Sequence, residues 1–473
     1  MKLTPNIALK SELSPYKKWR TKWSIPVAVL FPNLYSVGMS NLGFQTLFRL
    51  LAEEDFVKPL RYFYDLTESP EGDIPIESCR VIFISLPFEL DYLSLLKILH
   101  KKGIPLTAEE RSQNDPVLIG GGAAITLNDR PAKKIFDIAV RGDLFAVYPS
   151  IVEAMREQLV YGNDRKAFTD CLNNIIEHEK NPFYCAERKP AYSPIVSSLS
   201  AFRNMFLIEI QRSCPFRCGF CATPAIYGKF SNFSVEEIID TITKYNPGTR
   251  RIGLVGSSVA EHPELYRLLT ELSAMDFNVS TSSVRSDRIS KDTMDLLANM
   301  GARSVTIAPE THVEHLYNTI GKHITAEDVI KSVEKMPFNE VKLYYIVGLP
   351  GEMDEDIVTL ADNIKMIAAA LPNVSLSVSV NPFIPKPQTK LGHLGMLPDK
   401  ILSKRFEILK KLLHKTANIK LTINYSHRQR LEAVISNGNE NIADVLIKSV
   451  LGQPIKKALK DIGIDLNAAI KTD

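Results

Sequence analysis

Short strand-length runs and stretches of helical periodicity alternate along the chain in two separate series. In the first series, residues 27–31, 61–64, 81–85, 117–119 and 138–140 have the length and apolar character of buried strands. Between them, 41–53, 90–101 and 144–159 repeat apolar positions every three or four residues, as amphipathic helices do. Five strands separated by helices predict an α/β domain over 26–160, built on a doubly wound parallel sheet. Residues 1–25, with Pro15, Trp19 and Trp23, predict an irregular leader. Residues 161–200 are polar, carry Pro182, Pro190 and Pro194, and predict a linker containing a helix.

The second series occupies 201–397. Its predicted strands are 206–211, 251–255, 279–283, 304–308, 341–347 and 376–380, with helices at 235–244, 264–275, 291–300, 326–336 and 354–370. Six β/α units predict a partial (β/α)6 barrel rather than a closed eightfold one. Residues 398–473 predict a small helical C-terminal region. Its segment with apolar Leu431, Val434, Ile435, Ile442 and Val445 is expected to cap the barrel mouth or to grip substrate there. Neither an internal repeat nor a low-complexity tract is present.

Composition narrows the class. A chain of 473 residues requires two or three domains. Hydrophobic content of 45% and charged content of 23% are those of a soluble globular protein. A net charge of +3 is too mild to indicate nucleic acid, although Lys386 and the 428–430 stretch are candidate local anion contacts. No apolar run approaches the roughly 20 residues that span a bilayer, and the first residues lack a signal-peptide core, so a cytoplasmic location is expected. Six cysteines in this length do not make a disulfide framework, and three of them fall within eight residues, which points to metal.

Those three are Cys214, Cys218 and Cys221, spaced C-x3-C-x2-C in the loop after the first barrel strand. At this cysteine frequency the spacing arises by accident roughly 0.001 times per chain. Three thiolates holding a four-iron cube leave one iron without a protein ligand, and that position is open to a small molecule. Gly219 is expected to permit tight curvature of the loop, and Arg212 and Arg217 to offset the cluster's negative charge or remain solvated.

The triplet resembles the signature of the radical S-adenosylmethionine (SAM) superfamily. The resemblance implies a [4Fe–4S] cluster on Cys214, Cys218 and Cys221 as metal ligands. It also implies SAM chelated at the open iron, and reductive cleavage of SAM to methionine and a 5′-deoxyadenosyl radical. It further implies SAM contacts at Phe220, before the third cysteine, and at the carboxyl ends of later strands: Ser257 and Glu261, Ser283 and Arg285, and Glu310. Gly348 and Gly351, after the fifth strand, are either a structural turn or a SAM contact; His262 is a candidate helix start. An electron donor such as a flavodoxin or ferredoxin is implied as partner.

The first domain resembles the cobalamin-binding domains fused to many radical SAM enzymes. Their three loop signatures correspond here to Asn33-x-Tyr35-x-x-Gly38, to the loop at Ser85, and to Gly120, Gly121 and Gly122. Tyrosine stands where those domains carry the cobalt-ligating histidine, and a neutral phenol is a poor cobalt ligand. Cobalamin is therefore expected to bind with its tail base displaced and no protein nitrogen on cobalt, and Tyr35 to pack or hold water beneath the metal. The remaining cysteines, Cys79, Cys171 and Cys185, have spacings that fit no compact second-cluster loop. The methylthiotransferase branch places three cluster cysteines in its N-terminal domain, whereas residues 1–78 here contain none.

Together the resemblances imply a cobalamin-dependent methyltransferase acting on an unactivated carbon. The alternatives are a cobalamin-assisted radical cyclisation or rearrangement enzyme, and a non-catalytic protein that binds cluster and cobalamin. No side chain is singled out as acid, base or nucleophile. The substrate classes left open are a small molecule such as a cofactor precursor or tetrapyrrole, a peptide, or a lipid; nucleic acid is not expected.

Overall fold

A parallel sheet covered by helices on both faces needs strands that are apolar on both faces. Strand β1 (Ile25–Phe31) meets that demand: Val27, Ala28, Val29, Leu30 and Phe31 are all buried. With β2 (Val57–Phe63), β3 (Val81–Ser85), β4 (Val117–Gly121) and β5 (Ile138–Ala139) it forms a sheet in the order β2-β1-β3-β4-β5, every pair parallel. The structure, a computed structural model, describes residues 3–16, 25–162, 164–178, 188–281 and 289–470. Strand order reverses direction at β1 and β3, and ligands of such sheets lie outside the carboxyl ends at that point.

Helix α1 (Leu42–Glu53) starts where Asn41 accepts a hydrogen bond from the Phe44 N–H, and buries Phe44, Leu47, Phe48 and Leu51 along one stripe. Helix α2 (Asp91–Lys101) follows β3, and α3 (Leu144–Met155) is capped by Asp143, which accepts from the Phe145 N–H. The α-helical turns of α3 stop at Met155, short of the expected 159, and continue as a π-type turn, Arg156–Gly162.

The second series forms two parallel sheets in sequential order. One contains β6 (Met205–Glu209), β7 (Arg251–Val255) and β8 (Asn278–Thr281). The other contains β9 (Ser304–Glu310), β10 (Glu340–Val347), β11 (Ser375–Pro382) and β12 (Ile419–Ile423). No hydrogen-bonded pair joins β8 to β9 among the described residues, so the ring is a partial barrel. Strand β12 extends the expected six units by one, within a stretch read as helical. Its five residues alternate half-buried Ile419, Leu421 and Ile423 with exposed Lys420 and Thr422, a period of two. Helix starts are locally encoded here too: Ser234 and Glu237 form a capping box at Val235–Tyr245.

The leader is not irregular throughout. Glu12–Leu13 pairs antiparallel with Val196–Ser197, so the leader and the end of the linker close on each other against the first domain. Glu12 thereby reaches Arg61 of β2. The guanidinium donates from Nη2 to Glu12 Oε2 at 2.9 Å and from Nε to Glu71 Oε1 at 2.7 Å, and all three side chains are almost fully buried. Two carboxylates keep this buried cation firmly protonated despite its desolvation. Another polar tie joins the loops after β1 and β3, where Asn33 Nδ2 donates to Asp91 Oδ1 at 2.7 Å.

Two outcomes follow from these buried charges. Arg61→Met leaves two buried carboxylates uncompensated and is expected to cost about 3–5 kcal/mol in urea denaturation; an unchanged midpoint would contradict this role. Burial pushes the Asp91 carboxyl up from 3.8 to about 6, so the native state binds its proton more tightly than the unfolded chain. The resulting stabilisation is complete below about pH 4 and is lost as pH rises through 6, a difference of roughly 3 kcal/mol. Asp91→Asn is expected to gain stability relative to the parent between pH 4 and 7.5; an identical difference at both pH values would refute the assignment.

Candidate active site at the junction of the two domains

After β6 the backbone passes through Gln211 and Arg212, which pair antiparallel with Ser231 and Asn232, and enters the cysteine loop. Ser213 turns it at φ 64°, with its hydroxyl donating to the Gly228 carbonyl at 2.8 Å. The Cys221 N–H donates to the Cys218 carbonyl at 3.0 Å and closes the second half of the loop. Gly219 donates to the Ile320 carbonyl and accepts from the Leu391 N–H, both at 2.8 Å. A Cβ there would stand 3.0 Å from the Thr319 carbonyl oxygen and from Leu391 Cγ. Close approach of neighbouring loops, rather than unusual curvature, therefore demands glycine at this position.

Cys214, Cys218 and Cys221 are half-buried thiols free of disulfides. Among the described residues no three His, Cys, Asp or Glu side chains gather around a single-ion centre. In an iron–sulfur cluster each thiolate takes a different iron. The donor set, three soft thiolates on one loop at the mouth of a barrel, fits an iron–sulfur cube. Cys79 and Cys171 offer no second set: Cys79 belongs to the core on one face of the first sheet, Cys171 packs on the other, and Cys185 lies outside the described residues. Burial pushes the Cys79 thiol up to about 12.

Between the carboxyl ends of β3 and β4 and the inner wall of the barrel lies a cavity of about 560 Å³. Ser85 and Gly121 line it from the first domain, Leu207 and Glu209 from β6, and Ser257 from the loop after β7. It deepens between the sheet and helices α1 and α3, where Thr46, Leu47, Phe83, Ile119, Val147 and Ile151 form its walls. Thr46 Oγ1 is buried there with no hydrogen-bond partner among the described residues. A buried orphan hydroxyl in an otherwise apolar slot is what a ligand with a few polar atoms would satisfy. The slot therefore fits a bulky, largely apolar cofactor. Thr46 and the loop at Ser40, Asn41 and Gly43 were not singled out in the sequence, because a threonine inside an amphipathic helix carries no signature.

Of the glycines expected to admit a cofactor, Gly121 alone has room. A Cβ on Gly120 would meet Phe136 at 2.6 Å, and one on Gly122, at φ +118°, would meet the Leu86 carbonyl oxygen at 2.6 Å. Those two serve the fold, although all three line the cavity. The first loop signature does not reach the cavity. The helical turn Tyr35–Gly38 points the tyrosine ring into the first domain, where its hydroxyl donates to Glu12 Oε1 at 2.6 Å. Asn33 is held by Asp91, and Gly38 packs so closely on Phe63 that a Cβ would stand 2.5 Å away. Tyr35 is thus a core residue rather than one beneath a metal. No histidine lines the cavity among the described residues.

Other expected site residues sort by their partners. Arg212 is held by Glu209 Oε2 at 2.9 Å and Asp143 Oδ2 at 3.3 Å, so it braces the two domains instead of facing a cluster, while Arg217 is exposed. Burial pushes the Glu209 carboxyl up while Arg212 pulls it back. Glu310 sits at φ 71° and pairs with Lys322 Nζ at 3.0 Å. His262 is buried, joins the Phe233 carbonyl through Nε2 at 2.8 Å and accepts from the Glu264 N–H, a structural role. Glu352 accepts from the Gly348 N–H at 2.6 Å and from Arg405 at 2.9 Å, which makes the turn with Gly348 and Gly351, both at positive φ, structural. Phe220 is half-buried against the barrel core, and Glu261 ends the turn Val259–Glu261. Ser283 and Arg285 lie outside the described residues. Lys386 and Arg430 are not free anion contacts. Lys386 binds Glu89, Glu432 and Ser436, and Arg430 is buried among the Leu397, Leu466 and Ala468 carbonyls.

Known proteins bear on this geometry. Residues 208–364 match the radical SAM superfamily, and residues 43–178 match a family described as radical SAM proteins, N-terminal. An uncharacterised protein of Methanocaldococcus jannaschii is 28% identical over 442 residues, covering 92% of this chain and 93% of its own. The ribosomal protein uS12 methylthiotransferase RimO of Carboxydothermus hydrogenoformans is 23% identical over 53% of this chain and 58% of its own. Among solved structures, the radical SAM methyltransferase TsrM of Kitasatospora setae, with cobalamin and a [4Fe–4S] cluster bound, superposes with a TM-score of 0.53. It is 10% identical, over 93% of this chain and 100% of its own. The same enzyme with tryptophan substrate and a SAM analogue covers 78% of this chain and 76% of its own, at a TM-score of 0.53 and 12% identity. The shared motif, the matched segments and the two-domain architecture place this chain in the radical SAM superfamily, with the fold of members that join a cobalamin-type domain to the barrel.

Proposed function

We propose that this protein is a cobalamin-dependent radical SAM enzyme that methylates an unactivated carbon. The observation that carries the reading is the single cavity shared by the carboxyl ends of β3 and β4 and the inner wall of β6 and β7. A cofactor seated in the first domain and a substrate in the barrel would meet there without crossing solvent.

When bound, the cluster and SAM supply a 5′-deoxyadenosyl radical able to remove a hydrogen atom, and cobalamin supplies the methyl group. The chain's own residues bind and shield. Cys214, Cys218 and Cys221 would ligate the cluster, and Ser257 stands at the cavity edge on the loop where SAM contacts are expected. Thr46 and Ser85 offer hydroxyls to the buried end of the corrinoid, and Gly121 lets it approach the backbone. Leu207, Phe83, Ile119 and Val147 keep water from the slot. Arg212, bonded to Asp143 and Glu209, keeps the two walls at one spacing. No helix among the described residues is long and apolar enough to cross a membrane.

Anaerobically purified protein, reduced in the presence of SAM, is expected to release 5′-deoxyadenosine and, with substrate, S-adenosylhomocysteine. Cys218→Ala is expected to abolish both, and undiminished 5′-deoxyadenosine from that variant would refute the cluster assignment. Release of 5′-deoxyadenosine without S-adenosylhomocysteine would instead favour radical cyclisation or rearrangement. With the tail base displaced, paramagnetic resonance of the Co(II) form is expected to show no nitrogen superhyperfine splitting, since Tyr35 is turned away and no histidine lines the cavity among the described residues. Such splitting would mean that a nitrogen ligand occupies cobalt.

A further inference from the structure

The inner wall of the barrel changes chemistry partway round. On β6 and β7 the inward residues Met205, Leu207 and Val255 continue the apolar lining of the cavity, beside Glu209, which is paired with Arg212. On β9 to β12 the register places Thr306, Lys342, Ser377 and Lys420 side by side in one row across four parallel strands. On β10 the alternate positions Val341, Leu343, Tyr345 and Val347 are buried, which turns Lys342 to the opposite, inner face. Nearer the carboxyl ends, Asn424 on the same face donates to Ser379 Oγ and Asn381 Oδ1, both at 3.1 Å. Barrel interiors are ordinarily filled by branched apolar side chains, so a wall of hydroxyls, amides and ammonium groups does not serve packing.

The two lysines stand two strands apart, roughly 9.5 Å between backbones, close enough for both ammonium groups to reach one anion. Neither makes an ion pair among the described residues. Glu340 lies on this face at the foot of β10, one inward position below Lys342, and has no ion-pair partner among the described residues. The row also lies apart from the SAM loops. Lys342 is five residues before the end of β10, roughly 16 Å along the strand.

We propose that Lys342 and Lys420 bind the anionic head group, a carboxylate or a phosphate, of an amphipathic substrate whose apolar part runs along β6 and β7 toward the cavity. This assignment rests on the radical SAM reading and adds the substrate class to it. The inner wall supplies the complementarity: cationic and hydroxylic on one side, apolar on the other, with the cavity at the apolar side.

The test uses the full-length protein and three probes of equal chain length: octyl phosphate, octanoate and 1-octanol. Acetylation of lysines, read by mass spectrometry, is expected to fall at Lys342 and Lys420 with an anionic probe and not with octanol. Calorimetric affinity for the better anionic probe is expected to drop about tenfold or more in the Lys342→Met, Lys420→Met double variant, and to return in the Lys→Arg pair, both checked for unchanged melting temperature. Tighter binding of octyl phosphate assigns a phosphate head, and tighter binding of octanoate a carboxylate. Equal protection by octanol, or undiminished binding by the folded methionine variant, overturns the proposal. Release of 5′-deoxyadenosine from the unsubstituted protein is measured in parallel. Its absence would sink the radical SAM reading, whereas its presence with no anion preference would sink this one alone.

Discussion

Two buried ion clusters hold the first sheet opposite the barrel, and the cavity exists because they fix that distance. Arg212, at the end of β6, reaches Asp143 at the start of α3, and Arg188 reaches the same carboxylate at 2.6 Å. On the other side Lys386 draws together Glu89 of the first domain and Glu432 of the C-terminal region. Buried charges are costly to desolvate, and a pair earns little net stability over an apolar substitute. What such pairs impose is register, since each charge tolerates only the geometry that supplies its partner. An apolar interface of the same area would slide, and a cavity walled by two domains depends on its not sliding.

The C-terminal region completes this clamp. Asn128 donates to the carbonyls of Ser436 and Gly438, and Gln388 to those of Thr126 and Leu127. Lys134 adds an exposed pair with Asp444 at 2.6 Å. The segment expected to cap the barrel is a bracket between domains, with Arg430 anchoring its first turn to the Leu397, Leu466 and Ala468 carbonyls.

Much of the architecture was legible in the sequence because its signals are local. Strands buried on both faces read as uninterrupted apolar runs, and 81–85 and 251–255 match the observed β3 and β7 at both ends. The cysteine spacing needed no structure at all. What failed to show was set by long-range contact. Tyr35 kept the spacing of a ligand signature, yet Glu12, a residue from the leader, and Ser197 from the linker end draw its hydroxyl into the core. Gly120 and Gly122 looked like a cofactor cradle but answer to Phe136 and Leu86. Strand β12 escaped notice because five alternating residues between two helical stretches make a weak pattern. Arg212 looked like a cluster neighbour in sequence, and only the fold reveals the two carboxylates that hold it.

The glycine in the cysteine loop has a mechanical corollary. Gly219 is stitched by its N–H to Ile320 and by its carbonyl to Leu391, so the cysteine loop shares backbone hydrogen bonds with the end of the helix Glu314–Ile320 and with the loop after β11. The cysteine loop cannot shift without breaking backbone hydrogen bonds to both buried neighbours, so its position is set by two other loops of the barrel as much as by its own sequence.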